Sequence, residues 1–244
     1  VLLKERRFPM SENKELILRD VKLRENALMK NVYLWMILGL AVTAGIAFFV
    51  STSEAALRFI FLNPIVTIAI FIAQLVLVMV LSGRVERLST GAAVGTFLGY
   101  SALTGVTLSS IFLAYTGTSI AIAFMSALSV FIGGAIYGAV TKKDLRSWGG
   151  FLTMGLFGLI IASLLNMLFR SSGLDLIVSV IGVVLFTGLT AWDSQRVSDI
   201  NREYGPSMTS EELTKLGILG ALSLYLDFLN IFLYLVRIVG RSDN

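Results

Sequence analysis

Two aspartates, Asp193 and Asp227, stand where the chain is otherwise hydrocarbon. Asp227 lies in Leu224-Tyr-Leu-Asp-Phe-Leu-Asn-Ile-Phe-Leu-Tyr, apolar on both sides. Asp193 lies in Gly188-Leu-Thr-Ala-Trp-Asp-Ser-Gln-Arg, at the end of another apolar run. A carboxylate near the centre of a membrane helix costs roughly 2.5–3.5 kcal/mol on insertion scales, so Asp227 requires a partner inside the protein. Two carboxylates within hydrogen-bond reach cannot both ionise cheaply, and such a pair titrates as a unit around a shared proton. Paired in this way, the aspartates would sense protons. No histidine is present to share that task, and there is no cysteine. The same absences exclude disulfides, thiolate chemistry, Cys-based metal sites and Ser–His or Cys–His nucleophile pairs.

With a period of 3.6, Gly220, Ser223, Asp227, Asn230 and Tyr234 share one face of the last apolar segment. The other faces carry Leu, Ile, Phe and Val. The polar face is expected to point into the protein, with Ser223, Asn230 and Tyr234 as polar lining around Asp227. Asp193 taken alone also reads as a helix-end residue beside Arg196. A cation would hold one carboxylate ionised. Arg84 and Arg87, at the end of the second apolar run, lie on the correct side for this, although loop charge asymmetry alone also accounts for them.

The elements that must position these residues are membrane spans. The chain has 244 residues, 56% of them hydrophobic and 15% charged, with a mean hydropathy of +0.82. A soluble domain is about 45–50% apolar and about 25% charged. A crossing helix needs about 20 mostly apolar residues. Seven such runs are present: Val32–Val50, Pro64–Leu81, Thr90–Leu113, Ser119–Val140, Phe151–Phe169, Leu174–Asp193, and a last one that begins between Leu216 and Leu222 and ends near Val236. The expected fold is an all-α membrane protein, with a tail over residues 1–30 and one seven-helix domain over residues 31–241.

The connections Ser51–Asn63, Tyr115–Thr118 and Arg170–Gly173 carry only Arg58 and Arg170. The opposite set carries Arg84, Arg87, Lys142, Lys143, Arg146, Arg196, Arg202 and Lys215. Lys and Arg accumulate on the cytoplasmic side, which predicts a cytoplasmic N-terminus. Seven full crossings then place the C-terminus outside. Arg237 and Arg241 argue mildly for a re-entrant last segment instead.

The net charge is +4, and Arg6, Arg7, Lys14, Arg19, Lys22, Arg24 and Lys30 precede the first span. A tail near anionic headgroups explains them better than a nucleic-acid arm, and Glu12, Glu15 and Glu25 make it mixed in sign. It does not resemble a signal peptide. Met10 follows Val1 closely, so residues 1–9 read equally as an upstream extension. Gly91, Gly95 and Gly99, and again Gly134 and Gly138, lie four apart, a spacing that lets helices pack closely in lipid.

Pairing of Asp193 with Asp227 sets a geometric condition. At 1.5 Å per residue, a last helix starting at Leu216 would place Asp227 about 16 Å deep, and one starting near Leu222 about 8 Å. Asp193 reads as lying at its membrane boundary. The pair therefore calls for the late start, or for a break near Gly217–Gly220.

Trp192-Asp-Ser-Gln resembles the aromatic-Asp-x-Gln signature of the transmembrane Bax-inhibitor-motif family. Leu222-Ser-Leu-Tyr-Leu-Asp-Phe-Leu-Asn-Ile-Phe resembles its last-helix signature, and Leu103-Thr-Gly-Val-Thr-Leu-Ser also fits. The resemblance covers nearly all of Lys30–Arg241 and is nearest to the bacterial YetJ-like calcium-leak branch. It implies six helices around a central last helix in a bacterial inner membrane, and a pH-dependent calcium leak. It also implies a gating pair at Asp193 and Asp227, with a helix-two arginine as counter-charge. Ungapped counting from Gly105 gives Arg87, with Arg84 as the alternative. A longer connection through Tyr204–Thr214 and the extended tail depart from the family pattern.

The function expected is a proton-gated cation leak, with Ca²⁺ as permeant ion and no resident cofactor. Carboxylates are hard oxygen ligands suited to Ca²⁺, so Asp193 and Asp227 are also candidate transient contacts for it. The expected partners are the bilayer, calcium ions and protons, and no nucleic acid. The alternative is a regulatory protein that binds a membrane protease or another membrane partner. An intramembrane aspartyl protease, the enzyme alternative, would carry Gly-x-Gly-Asp where this chain has Leu224-Tyr-Leu-Asp, so no enzyme is expected. A retinal receptor would need a lysine in the last span, which has none.

Overall fold

The structure, a computed structural model, describes the backbone of residues 10–241 and the side chains of residues 27–241. The expectations for residues 1–9 lie outside the described residues. Nine helices follow in order among the described residues. They are α1 (Met10–Ser51), α2 (Glu54–Phe61), α3 (Pro64–Arg84), α4 (Thr90–Leu108), α5 (Ile111–Ala114), α6 (Gly117–Val140), α7 (Gly149–Phe169), α8 (Ser172–Tyr204) and α9 (Ser210–Gly240). Seven segments, carried by α1, α3, α4 with α5, α6, α7, α8 and α9, are long and apolar enough to cross a membrane. The fold is all-α and multi-pass.

Helix starts follow local chemistry. Side chains of Ser53, Ser89, Thr116 and Ser171 accept from backbone N–H groups of α2, α4, α6 and α8, which satisfies donors left over at a helix start. Pro64 opens α3, where its missing N–H costs nothing. The third span breaks after Leu108. Ser109 and Ser110 turn their hydroxyls onto the carbonyls of Val106 and Thr107, and α5 finishes the crossing. Residues 54–61, expected to lie within a loop, form the short α2.

The largest departures concern the last two spans. α8 does not end at Asp193 but continues to Tyr204, and α9 begins at Ser210, before the expected window. The connection expected over Ser194–Lys215 is therefore only Gly205–Thr209. Thr209 and Glu212 form a capping box: Thr209 N–H donates to Glu212 Oε2 at 2.7 Å and Glu212 N–H donates to Thr209 Oγ1 at 3.3 Å, which fixes the helix start. α8 and α9 have 33 and 31 residues. At 1.5 Å per residue both exceed the roughly 30 Å hydrocarbon layer, so both project from it. α9 is unbroken, which removes the re-entrant alternative.

α9 is the central element. It packs broadly against α1, α4, α6 and α8, while α3 stands behind α4 and α7 behind α8. Leu224, Tyr225, Phe228 and Ile231 are buried along with Asp227. The apolar faces of α9 therefore meet protein as fully as its polar face does. The outer helices instead present Phe71, Leu75, Met154, Phe157 and Leu168 outward, as lipid requires.

The two glycine series separate. A Cβ on Gly134 would stand 3.0 Å from the Thr187 carbonyl oxygen, and one on Gly138 would overlap the Ala191 carbonyl, so α6 and α8 meet there backbone to backbone. A Cβ on Gly91 or Gly95 would meet nothing within 4 Å, and one on Gly99 would meet only Leu77 Cδ1 at 3.9 Å. This first series does not pack helices closely.

Candidate functional site

Asp193 and Asp227 meet inside the bundle. Their side chains are in hydrogen-bonding contact, with 8% and 4% of their surfaces exposed. Neither the late start of α9 nor the break anticipated for pairing is present. Instead both helices run on past the pair: α8 continues about 16 Å beyond Asp193 to Tyr204, and α9 starts at Ser210, well before Asp227. Both aspartates lie well inside long antiparallel helices joined at Gly205–Thr209.

An ionised carboxylate has no proton to donate, so a contact between two carboxyl groups is a hydrogen bond when one of them carries a proton. Asp227 Oδ2 is buried with no hydrogen-bond partner. Thr190 contacts Asp227 from the same side, yet its hydroxyl donates to the Phe186 carbonyl at 2.8 Å. A hydroxyl has one proton, so in this arrangement Thr190 offers Asp227 an acceptor.

Asp193 borders a cavity of about 240 Å³ lined also by Ser82, Arg196, Leu219 and Ser223. The cation acting on Asp193 is Arg196, three residues on along α8. Its guanidinium also lies 5.0 Å from the centre of the Trp192 ring. Arg84 closes α3, and Arg87 ends the 3-10 turn Val85–Arg87. Both are exposed, and neither is among the groups acting on Asp193 or Asp227. Lys215 reaches the Glu86 carbonyl at 3.4 Å, which holds this turn against α9. The counter-charge position assigned to Arg87, or alternatively Arg84, is thus occupied here by Arg196.

The remaining polar lining of α9 spreads along its seam with α8. Ser223 borders the Asp193 cavity. Asn230 donates back to the Leu226 carbonyl at 2.8 Å. Tyr234 lies against Gly182, where a Cβ would be 2.5 Å from its ring, and 6.1 Å from the Phe186 ring. At the far end Arg237 lies 3.9 Å from Asp175 and 5.6 Å from the Tyr234 ring centre, while Arg241 donates to the Ser172 carbonyl. Local partners therefore account for both arginines.

Two residues have partners that the residue pattern of the sequence does not show. Tyr225, fully buried, lies 2.6 Å from Thr43 Oγ1. Thr43 spends its one proton on the Ser101 carbonyl at 2.9 Å, so Tyr225 is the donor. Gln195 is the second. Its Oε1 accepts from Leu145 N–H at 2.7 Å and its Nε2 donates to the Lys143 carbonyl at 2.9 Å. The neighbours of Asp193 in sequence thus anchor α8 to what surrounds it: Trp192 packs on Gly149, and Gln195 ties down the loop between α6 and α7. Gln195→Leu should raise amide hydrogen exchange over residues 141–148 and leave the core of α8 protected. Unchanged exchange in that loop would show that its order does not depend on Gln195.

Comparison with known proteins places the chain. A family model described as inhibitor of apoptosis-promoting Bax1 matches residues 25–244. Inner membrane protein YbhL of Escherichia coli is 45% identical over 213 residues, covering 87% of this chain and 91% of that protein. A protein of Borreliella burgdorferi is 42% identical, covering 90% of this chain and 94% of its own length. One from Deinococcus radiodurans is 40% identical, covering 88% and 90%. With its seven spans, its central last helix and this similarity along nearly its whole length, the chain belongs to the Bax-inhibitor family of membrane proteins.

Proposed function

We propose that the protein is a pH-sensitive calcium leak of the bacterial inner membrane, gated by Asp193 and Asp227. The observation that carries this reading is the contact of two carboxyl groups inside a membrane bundle, one of them facing a cavity. Loop charge supports placing the Asp193 end of the bundle in the cytoplasm: Arg84, Arg87, Lys142, Lys143, Arg196 and Lys215 gather there. YbhL is named as an inner membrane protein, which supports the same membrane here.

The mechanism follows from the proton count. With one proton, the pair is joined by a charge-assisted hydrogen bond, which is the strong kind. A second proton removes the charge, and loss of the first sets two anions against each other. Either change weakens the tie between α8 and α9. Beyond the pair, Phe186 and Tyr234 pack against each other in the seam, which supports reading this arrangement as the closed one. Ser179 Oγ and Asp227 Oδ2 are buried without hydrogen-bond partners, and by helical spacing Ser179 shares the Gly182 and Phe186 face of α8. These oxygens are hard ligands suited to a Ca²⁺ ion in transit.

In proteoliposomes, wild-type protein should show Ca²⁺ flux that rises as the pH moves from neutral toward acid. The double variant Asp193→Asn/Asp227→Asn should lose that pH dependence. An unaltered profile in the double variant would remove the pair from the mechanism. A stoichiometric partner recovered in detergent, with no flux at any pH, would favour the regulatory reading instead.

A further inference from the structure

The half of the bundle remote from Asp193 contains a larger void that the aspartate pair does not use. It measures about 340 Å³, within the range of small-molecule sites. Phe228, Leu229 and Phe232 of α9 form its floor, with Ala47 of α1 and Ile111 of α5, all of them buried. Its rim includes Ala44, Phe112, Ala121, Phe124 and Met125, all of them exposed. The interruption of the third span produces this opening: α4 stops at Leu108, and the short α5 leaves a gap between α1 and α6 through which α9 is reached.

Thr43 is the one lining residue with a hydroxyl, and no lining residue is charged. The Thr43 proton goes to Ser101 and its oxygen receives Tyr225, so no lining side chain offers a free polar group. An apolar lining of this kind gives water or an ion little to bind and suits a hydrocarbon occupant. The rim is continuous with the lipid-facing belt, through Phe48, Leu113 and Ile122, which are 63%, 63% and 50% exposed.

We propose that this cavity is a lateral window that admits one acyl chain of a bilayer lipid onto the central helix. The chain would lie against Phe228, the residue next to Asp227. Its tail would replace packing that α5 is too short to supply.

The test is photolabelling in phosphatidylethanolamine–phosphatidylglycerol vesicles doped with a phospholipid carrying a diazirine on its acyl chain, with adducts mapped by mass spectrometry. Leu229 and Phe232, which are buried, should carry adducts as the belt residues Phe71 and Phe157 do. Ala127, buried elsewhere on α6, should not. Filling the window with Ala44→Phe or Ala121→Phe should abolish the adducts on Leu229 and Phe232 and keep those on Phe71 and Phe157. Adducts on Leu229 and Phe232 no more frequent than on Ala127 in the wild type would overturn the proposal, whatever the variants do. Adducts that persist in a folded, filled variant would overturn it as well.

Discussion

Replacing Gly138 by valine should prevent α6 and α8 from seating as they do. A Cβ at this position overlaps the carbonyl of Ala191, and the obstacle is backbone rather than a side chain that could rotate away. Overpacking in a core typically costs 1–3 kcal/mol. Here relief requires the two helices to separate along a seam that Gly134 also keeps narrow. The expected destabilisation therefore exceeds that usual range, at about 4 kcal/mol, read as a large fall in melting temperature in detergent. Ala191 is two residues from Asp193, so any folded fraction should also lose the contact between the aspartates. Gly91→Val, at a position with open space around it, should change the melting temperature little. If Gly138→Val melts with the wild type, the close approach of α6 and α8 is wrong.

Tyr225 should show the second large effect, and its two substitutions should separate packing from hydrogen bonding. The ring is fully buried and meets Phe97 and Tyr100 edge to face at 5.8 and 6.0 Å. Tyr225→Ala should cost about 3–5 kcal/mol, as removal of a large core aromatic does. Tyr225→Phe keeps the ring and removes the proton given to Thr43. Side-chain hydrogen bonds between membrane helices average about 0.6 kcal/mol and reach about 1.7 kcal/mol, so the loss should lie in that range. Adding Thr43→Val to Tyr225→Phe should cost little more than the loss of the Thr43–Ser101 bond. Equal destabilisation by Tyr225→Ala and Tyr225→Phe would refute the assignment of the hydroxyl as a minor contributor.

The aspartates are legible because charge inside an apolar run has a known cost, and that cost is visible in a single sequence. Their environment is less so. Hydropathy marks where a helix leaves the membrane, not where it ends, so it cuts α8 at Asp193 and assigns its eleven further residues to a loop. The start of α9 does have a signal. Thr209-Ser-Glu-Glu212 has the spacing of a capping box, and it outweighs the polarity that suggests a connection.

The glycine series show the same limit. Spacing by four is identical in both, and only the presence of a facing backbone at Thr187 and Ala191 makes Gly134 and Gly138 contact positions. Tyr225 is unmarked because a tyrosine among leucines looks apolar. Its partners Thr43 and Ser101 lie on other spans, so no local pattern joins them. In this structure the cation beside Asp193 is Arg196, which its spacing on one helix already suggests; charge asymmetry puts Arg84 and Arg87 on the same side of the membrane but says nothing of their reach.

The central claim is that Asp193 and Asp227 act as one latch. Ca²⁺ flux in proteoliposomes, followed across pH for wild type, Asp193→Asn, Asp227→Asn and the double variant, tests it most directly. Groups that work as a unit give strongly non-additive effects. Each single substitution should abolish the pH dependence as completely as both together. Two independent, additive reductions, or a single variant that keeps the wild-type profile, would contradict the latch.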